Sequence, residues 1–136
     1  MLTPVNLTQH LYFNLGDKDL YNISMMVNAK KRYLLDNNLL KKDLVDVKGT
    51  SYDFREPKLV LKDSLNEDVV GPYKNGFDDI WYLGKTDKRD VSAYIETYRY
   101  RAEFYTNYDA VVIYMNGYPS KQMLNTDVIE ETHSAI

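Results

Sequence analysis

Pro4-Val5-Asn6-Leu7-Thr8-Gln9-His10-Leu11-Tyr12-Phe13-Asn14-Leu15 alternates almost strictly between apolar and polar side chains. Val5, Leu7, Leu11, Phe13 and Leu15 fall on one side, and Asn6, Thr8, His10, Tyr12 and Asn14 on the other. That is the two-residue period of an extended strand. The stretch therefore predicts a strand with one greasy face and one face that holds an imidazole among hydroxyls and amides. Alternation alone leaves two readings of the polar face. It is the water-facing side of an antiparallel strand, which is the commoner case, or the floor of a site for a small polyhydroxylated ligand.

Working outward, Gly16-Asp17-Lys18-Asp19 reads as a turn. A second alternating run, Tyr21 to Ala29, then predicts a meander of antiparallel strands. Asp36-Asn37-Asn38 reads as a turn between short extended pieces, with a strand at 44–47 ending near Gly49. Tyr52 to Pro57 is a loop, because Pro57 disfavours helical backbone at Glu56. A helical turn or two is expected within 58–68, and Gly71-Pro72 and Asn75-Gly76 punctuate the middle. Further strands are expected at 80–83, 91–96, 101–106 and 110–115, with a charged hairpin tip at 85–90 and a short turn at 107–109. Ala110 to Met115 is apolar on both faces, as for a strand inside a sandwich. The fold class predicted is all-β, mainly antiparallel. The last residues, Thr132 to Ile136, look like the start of another strand.

At 136 residues and 44% hydrophobic content the chain has material for one domain with one core. A net charge of −3 offers no general attraction to nucleic acid or anionic membranes, so neither is an expected partner. No apolar run approaches the ~20 residues of a membrane span, and no basic leader opens the chain, so a cytoplasmic location is expected. With no cysteine there is no disulfide, thiolate nucleophile or thiolate metal site. Thirteen tyrosines against four phenylalanines suit half-buried strands, and also sites where a ring packs on a sugar while its hydroxyl bonds to it.

Histidine is the side chain best suited to moving protons near neutral pH, which singles out His10 and His133. No spacing joins them to further ligands, so no metal site is expected. Phosphate-cradling glycine loops and nucleophile elbows are absent. Asp78-Asp79, between Asn75-Gly76-Phe77 and Ile80-Trp81, reads as a glycine-led, aromatic-flanked acidic loop, either an exposed turn or a ligand site. Glu130-Glu131 reads as a solvated edge.

Three stretches taken together resemble one family. Residues 4–15 are similar to the P-V-N-L-T-N-H-[ST]-Y-F-N-L signature of the aldose 1-epimerases, the galactose mutarotases. Val47-Lys48-Gly49-Thr50-Ser51-Tyr52-Asp53-Phe54-Arg55-Glu56-Pro57 resembles their V-x-G-T-x-[FY]-D-[FL]-R-x-P segment, and Asn75-Gly76-Phe77-Asp78-Asp79 their N-G-[FY]-D-H segment. Order and spacing agree, and 101–106 and 111–114 look like the paired strands near the family's end.

The resemblance implies that the chain is one partial domain, 1–136, of a galactose mutarotase-like β-supersandwich, truncated at both ends relative to the family. It implies an isomerase that interconverts the α and β anomers of a hexose such as galactose or glucose by opening and reclosing the ring, with no cofactor and no metal. By the same resemblance His10 is the general acid toward the ring oxygen and Asp78 holds sugar hydroxyls. The family's glutamate base lies six residues after the histidine of an H-S-G-x-x-[LI]-E run, which His133-Ser134-Ala135-Ile136 begins to match. Its position falls three residues past Ile136, and Glu130 and Glu131 do not substitute for it. A second histidine and an arginine of the family belong before Met1.

The chain departs from the pattern at Gln9, where asparagine is usual, at Asp79, where histidine is usual, and at Lys41-Lys42-Asp43, which replaces a P-T-G-E turn. These bear on ligand preference and loop shape, while the expected position of the base past Ile136 leads polypeptide 1–136 alone to be expected inactive or nearly so, and its open sheet edges to favour self-association. Two rival readings stand beside it. One is a non-catalytic carbohydrate-binding or sugar-sensing domain. The other is an epimerase for a phosphorylated hexose, for which Lys30-Lys31-Arg32 is the compact basic candidate, unless it is a solvated strand end.

Overall fold

A computed structural model describes residues 2–3, 7–16, 18–36, 38–69, 76–84, 87, 89–120, 123 and 129–136. Eight short strands and one helical turn make up its regular structure: β1 Ser24–Val27, β2 Lys31–Leu35, β3 Lys41–Asp46, β4 Lys58–Leu59, α1 Val60–Ser64, β5 Asp78–Tyr82, β6 Ala93–Glu96, β7 Arg101–Phe104 and β8 Ala110–Tyr114. They form two four-stranded antiparallel sheets, ordered β4-β1-β6-β7 and β3-β2-β5-β8. The all-β, antiparallel expectation holds.

The connectivity is not the expected meander. β1 and β2 are consecutive in the chain but lie in different sheets. Ala29, 3% exposed, marks the corner between them. Likewise β5 and β6 belong to opposite sheets, so 85–90 is not a hairpin tip; residues 85, 86 and 88 themselves lie outside the described residues. The turn at 107–109 carries the chain from β7 in one sheet to β8 in the other, and those strands do not pair with each other. Alternation reports which face a side chain takes, and is silent on which neighbour a strand finds.

The core is built where the sheets face each other. Met25, Val27, Ala93 and Ile95 come from one sheet, and Trp81 from the other, with Phe77 and Met115 beside its strands. The loop after β3 adds Val47, Tyr52 and Phe54. Four rings form a continuous aromatic cluster: Phe77 meets Trp81 edge-on at 5.4 Å, Phe54 meets Phe77 at 5.5 Å, and Tyr52 reaches Trp81 at 5.8 Å. The Trp81 indole N–H donates to the Tyr52 carbonyl at 3.0 Å, so the ring is buried without losing its one polar bond.

That loop holds its shape through its own ion pairs. Arg55 grips Asp53 with two hydrogen bonds of 2.7 Å, and this pairing holds the Asp53 carboxyl down at about 2. The Ser51 N–H donates to Asp68 at 2.8 Å, tying the loop to the segment after α1. The expected helix at 58–68 is the single turn α1, preceded by the two residues of β4.

Both ends of the chain depart from expectation. Residues 4–6 of the opening stretch lie outside the described residues, and 7–14 form no sheet strand. Leu7 and Leu11 are 75% and 61% exposed. Among its described residues, Phe13 is the one that pairs in the manner of a strand: its N–H donates to the Ile136 carbonyl at 2.8 Å and its carbonyl accepts from Ile136 at 3.0 Å. A regular two-residue pattern makes a strand only where a partner edge is available. The last residues are not a strand start either, but a turn at 132–133 with His133 at φ 59. β8 is apolar on both faces as its sequence says, yet it ends its sheet's order of described strands, and Val112 is 62% exposed.

The aromatic cluster makes a stability prediction. Trp81→Ala removes its central ring and the Tyr52 hydrogen bond together, and should cost ~3–5 kcal/mol in urea unfolding. A loss below ~1 kcal/mol would mean that the two sheets are held by something else.

Candidate functional site

Strand β5 sorts its side chains by alternation. Phe77, Asp79 and Trp81 are buried between the sheets, while Asp78, Ile80 and Tyr82 are half-buried on the opposite face. The acidic pair expected in a loop therefore lies on a strand, with its two carboxylates in different worlds.

Asp79 enters the core region and meets Arg32 of β2, Nη1 to Oδ1 at 3.2 Å, both side chains below a tenth exposed. The Arg32 guanidinium also lies over the Tyr52 ring, 3.6 Å from its centroid. Burial pushes the Asp79 carboxyl up, and the Arg32 charge opposes it. Lys30 and Lys31 are thus an exposed strand end, as one reading of Lys30-Lys31-Arg32 had it, while Arg32 is turned inside and does not join them in a basic cluster.

Asp78 faces out on the sheet, directly opposite Tyr114 of β8 in the antiparallel register. Residues opposite each other project to the same side. Tyr12 packs edge-on against Tyr114 at 6.1 Å, and His10 lies 5.4 Å from Tyr12. A row of His10, Tyr12, Tyr114 and Asp78 results. Burial pushes the Tyr12 phenol up, and Tyr114, Glu130 and Asp78 add to the shift through their negative forms, so these groups share one field. Asp78 is likewise raised by burial. His10 itself is exposed. The chemistry of the row is one proton-transfer group and one carboxylate acceptor around two phenols that offer rings and hydroxyls.

Two further residues flank the strands that carry Tyr114 and Asp78, and sequence reasoning missed the first of them. Asn116, 4% exposed, binds the final turn with its whole amide group: its N–H donates to the Ala135 carbonyl at 3.0 Å and its carbonyl accepts from the His133 N–H at 2.7 Å. Its side-chain Nδ2 donates to Glu130 at 2.9 Å. Gly76, at φ 112, is the other. A Cβ there would stand 3.1 Å from the Met115 Cβ and 3.6 Å from the His133 Nε2. Only the glycine of the Asn75-Gly76 pair gave a sequence signal. His133 therefore lies behind the start of β5, while Glu130 is engaged by the Ser120 N–H at 2.7 Å as well as by Asn116. Those bonds hold the Glu130 carboxyl below its usual range. Glu130 is not the free solvated edge read from sequence. Among the described residues, no three His, Asp or Glu side chains converge as a metal-holding group, and no helix is long and apolar enough to cross a membrane.

The family model described as Aldose 1-epimerase matches residues 2–136. The chain belongs to the aldose 1-epimerase family. It is 31% identical over 128 residues to the aldose 1-epimerase of Escherichia coli K12, covering 87% of this chain and 37% of that protein. It is 30% identical over 122 residues to the galactose mutarotase of Pongo abelii, covering 85% of this chain and 34% of that one. Among solved structures, the galactose 1-epimerase of Lactobacillus acidophilus superposes with a TM-score of 0.73 at 25% identity, over 91% of this chain and 36% of that one. The chain thus spans about a third of the length of the relatives it matches. The family's named members are isomerases, and the two-sheet fold described above is the fold that this chain shares with the galactose epimerase structure.

The Arg32–Asp79 pair supplies a test by pH. In Arg32→Met the Asp79 carboxylate is buried without its cation, at an expected cost of ~3–5 kcal/mol near neutral pH. A carboxyl whose folded pKa lies above its unfolded value of 3.8 binds its proton more tightly in the native state. Stability is then greatest below that unfolded value and declines as pH rises through the folded one. Urea unfolding at about pH 4 and about pH 7 should show the variant's deficit growing with pH. An equal deficit at both would remove Asp79 as its cause.

Proposed function

We propose that this chain carries the acid side of a hexose mutarotation site. His10 protonates the ring oxygen, and Asp78 binds sugar hydroxyls. The observation that supports it is the single row of His10, Tyr12, Tyr114 and Asp78, whose phenols would pack on the C–H face of a pyranose such as galactose or glucose.

Opening a hemiacetal ring needs two proton movements. A base takes the proton from the C1 hydroxyl, its electrons form the C1 carbonyl, the C1–O5 bond breaks, and O5 takes a proton from the acid. Rotation about C1–C2 and the reverse steps give the other anomer. Protons alone are exchanged, so the reaction asks for no cofactor. An imidazole suits the acid role because it both gives and regains a proton near neutral pH. Asp78, as an acceptor-only group, fixes the sugar by its hydroxyls without joining the proton path. Among the described residues we assign no base: Glu130 is already engaged by Ser120 and Asn116. Polypeptide 1–136 alone is therefore a sugar-binding but almost inactive unit. We place the reaction in the cytoplasm, which suits a cysteine-free chain.

Two measurements on polypeptide 1–136 test the proposal. Galactose should shift the NMR signals of Tyr12 and Tyr114, and Asp78→Asn should weaken that binding roughly tenfold while His10→Ala leaves it nearly intact. Trp81, fully buried, should report little of it. Polarimetry on freshly dissolved α-galactose should show no acceleration by 1–136; acceleration that disappears in His10→Ala would contradict the assignment of inactivity. Sugar signals that ignore Asp78→Asn would remove Asp78 from the site.

A further inference from the structure

Each sheet ends in two outer strands, and three of these four carry features that discourage a further partner. β3 presents Lys41, Lys42, Asp43 and Asp46, β7 presents Arg101 and Glu103, and β4 is two residues long. β8 has none of these devices. Ala110-Val111-Val112-Ile113-Tyr114 holds no charge, proline or glycine, and Val112 at its centre is 62% exposed. The Met115 N–H donates to the Phe77 carbonyl and the Leu83 N–H to the Asp109 carbonyl, each at 2.8 Å, so both pairs flanking the β5–β8 register are bonded pairs. Bonded and non-bonded pairs alternate. Val111 and Ile113 therefore direct their N–H and carbonyl groups to β5, while Ala110, Val112 and Tyr114 turn theirs to the open edge. That edge is closed at both ends: the Tyr108 N–H donates to the Thr106 hydroxyl at 3.0 Å, and Asn116 is bonded to the final turn. Among the described residues, no strand pairs with the three that remain.

We infer that β8 is the interface of a dimer, pairing antiparallel with β8 of a second copy about a twofold axis at Val112. The three open residues are symmetric about Val112, so such an axis sets Val112 against the partner's Val112, and Ala110 against the partner's Tyr114 in both directions. All three are bonded pairs, and no N–H or carbonyl of the open edge is left over. A slip of one residue would oppose groups already bonded to β5. A slip of two, either way, would set one of the three against Tyr108 or Asn116, whose groups are taken. The side chains agree with the backbone. Val112 lies across from Ile80 on the face away from the core, while Val111 and Ile113 pack against the core. Opposed residues project to one face, so the two valines meet and each Tyr114 lies beside the small Ala110 of the other copy. The occupant is a second copy because the edge is its own complement in bonding pattern, size and charge. No charge falls between 110 and 114, and Asp109 comes opposite the partner's Met115 instead of another Asp109. Nothing in this pairing depends on a role for His10 or Asp78.

Sedimentation velocity on the 136-residue chain should show a monomer–dimer equilibrium between ~10 μM and ~1 mM, the range suited to so small a contact. Val112→Lys and Val112→Glu should each weaken dimerisation at least tenfold, because the twofold sets like charges directly opposite. An equimolar mixture of the two variants should restore the dimer as a mixed pair. The chain has no cysteine, so Val112→Cys carries a single thiol. A bonded pair holds its Cα atoms about 5.5 Å apart, within disulfide reach, and this variant should cross-link to itself on mild oxidation. Ala110→Cys, offset from its own copy by about 13 Å along the strand, should not. A monomer across the whole concentration range would overturn the inference, as would a dimer that survives both charged variants. Failure of the mixture to recover the dimer, or cross-linking of Ala110→Cys as readily as Val112→Cys, would overturn the twofold at Val112.

Discussion

The hydrogen bond from the Trp81 indole to the Tyr52 carbonyl is the constraint on which the rest depends. It fixes β5 against the 47–57 loop at a point where both are fully buried. With Trp81 turned inward, strand alternation leaves no freedom at the neighbouring positions: Phe77 and Asp79 must face the core, and Asp78 must face away. One aromatic anchor thus decides which of two adjacent carboxylates is buried and which faces away from the core. A slip of one residue would exchange them.

The cost of that arrangement is a charged group inside. Asp79 is tolerated because Arg32, opposite Trp81 on β2, reaches it, and because the guanidinium covers a tyrosine ring instead of losing all contact with polarisable matter. The pair also makes the register of β2 on β5 specific, since a shifted strand would bury both charges unpaired. The aspartate that stands where the family resemblance leads one to expect histidine has its ion-pair partner on the next strand, in Arg32.

Much of this was legible in the residues. Alternation found six of the eight strand regions because each strand has one face in the core, as Met25 and Val27 of β1 show. It erred on pairing because corners such as Ala29 carry no turn signature, and the chain there changes sheet without a glycine or proline. Residues 7–14 of the opening stretch failed as a strand for a physical reason: their pattern specifies a face, but among the described residues their edge has a partner at Phe13 alone. For the candidate site, motif resemblance gave His10 and Asp78; His10 lies against Tyr12, Asp78 is opposite Tyr114, and the two tyrosines meet edge-on. Asn116 was invisible, since its role lies in a long-range hydrogen-bond network that no local pattern records.

That network ties the end of one sheet to the last residues. Asn116, two residues past the end of β8, holds the final turn by its backbone N–H and carbonyl, and its side chain donates to Glu130. The same β8 places Tyr114 opposite Asp78. The short strand that sets Tyr114 opposite Asp78 therefore also leads into the residue that holds the final turn, whose Ile136 pairs with Phe13, so both features depend on the register of β8 on β5.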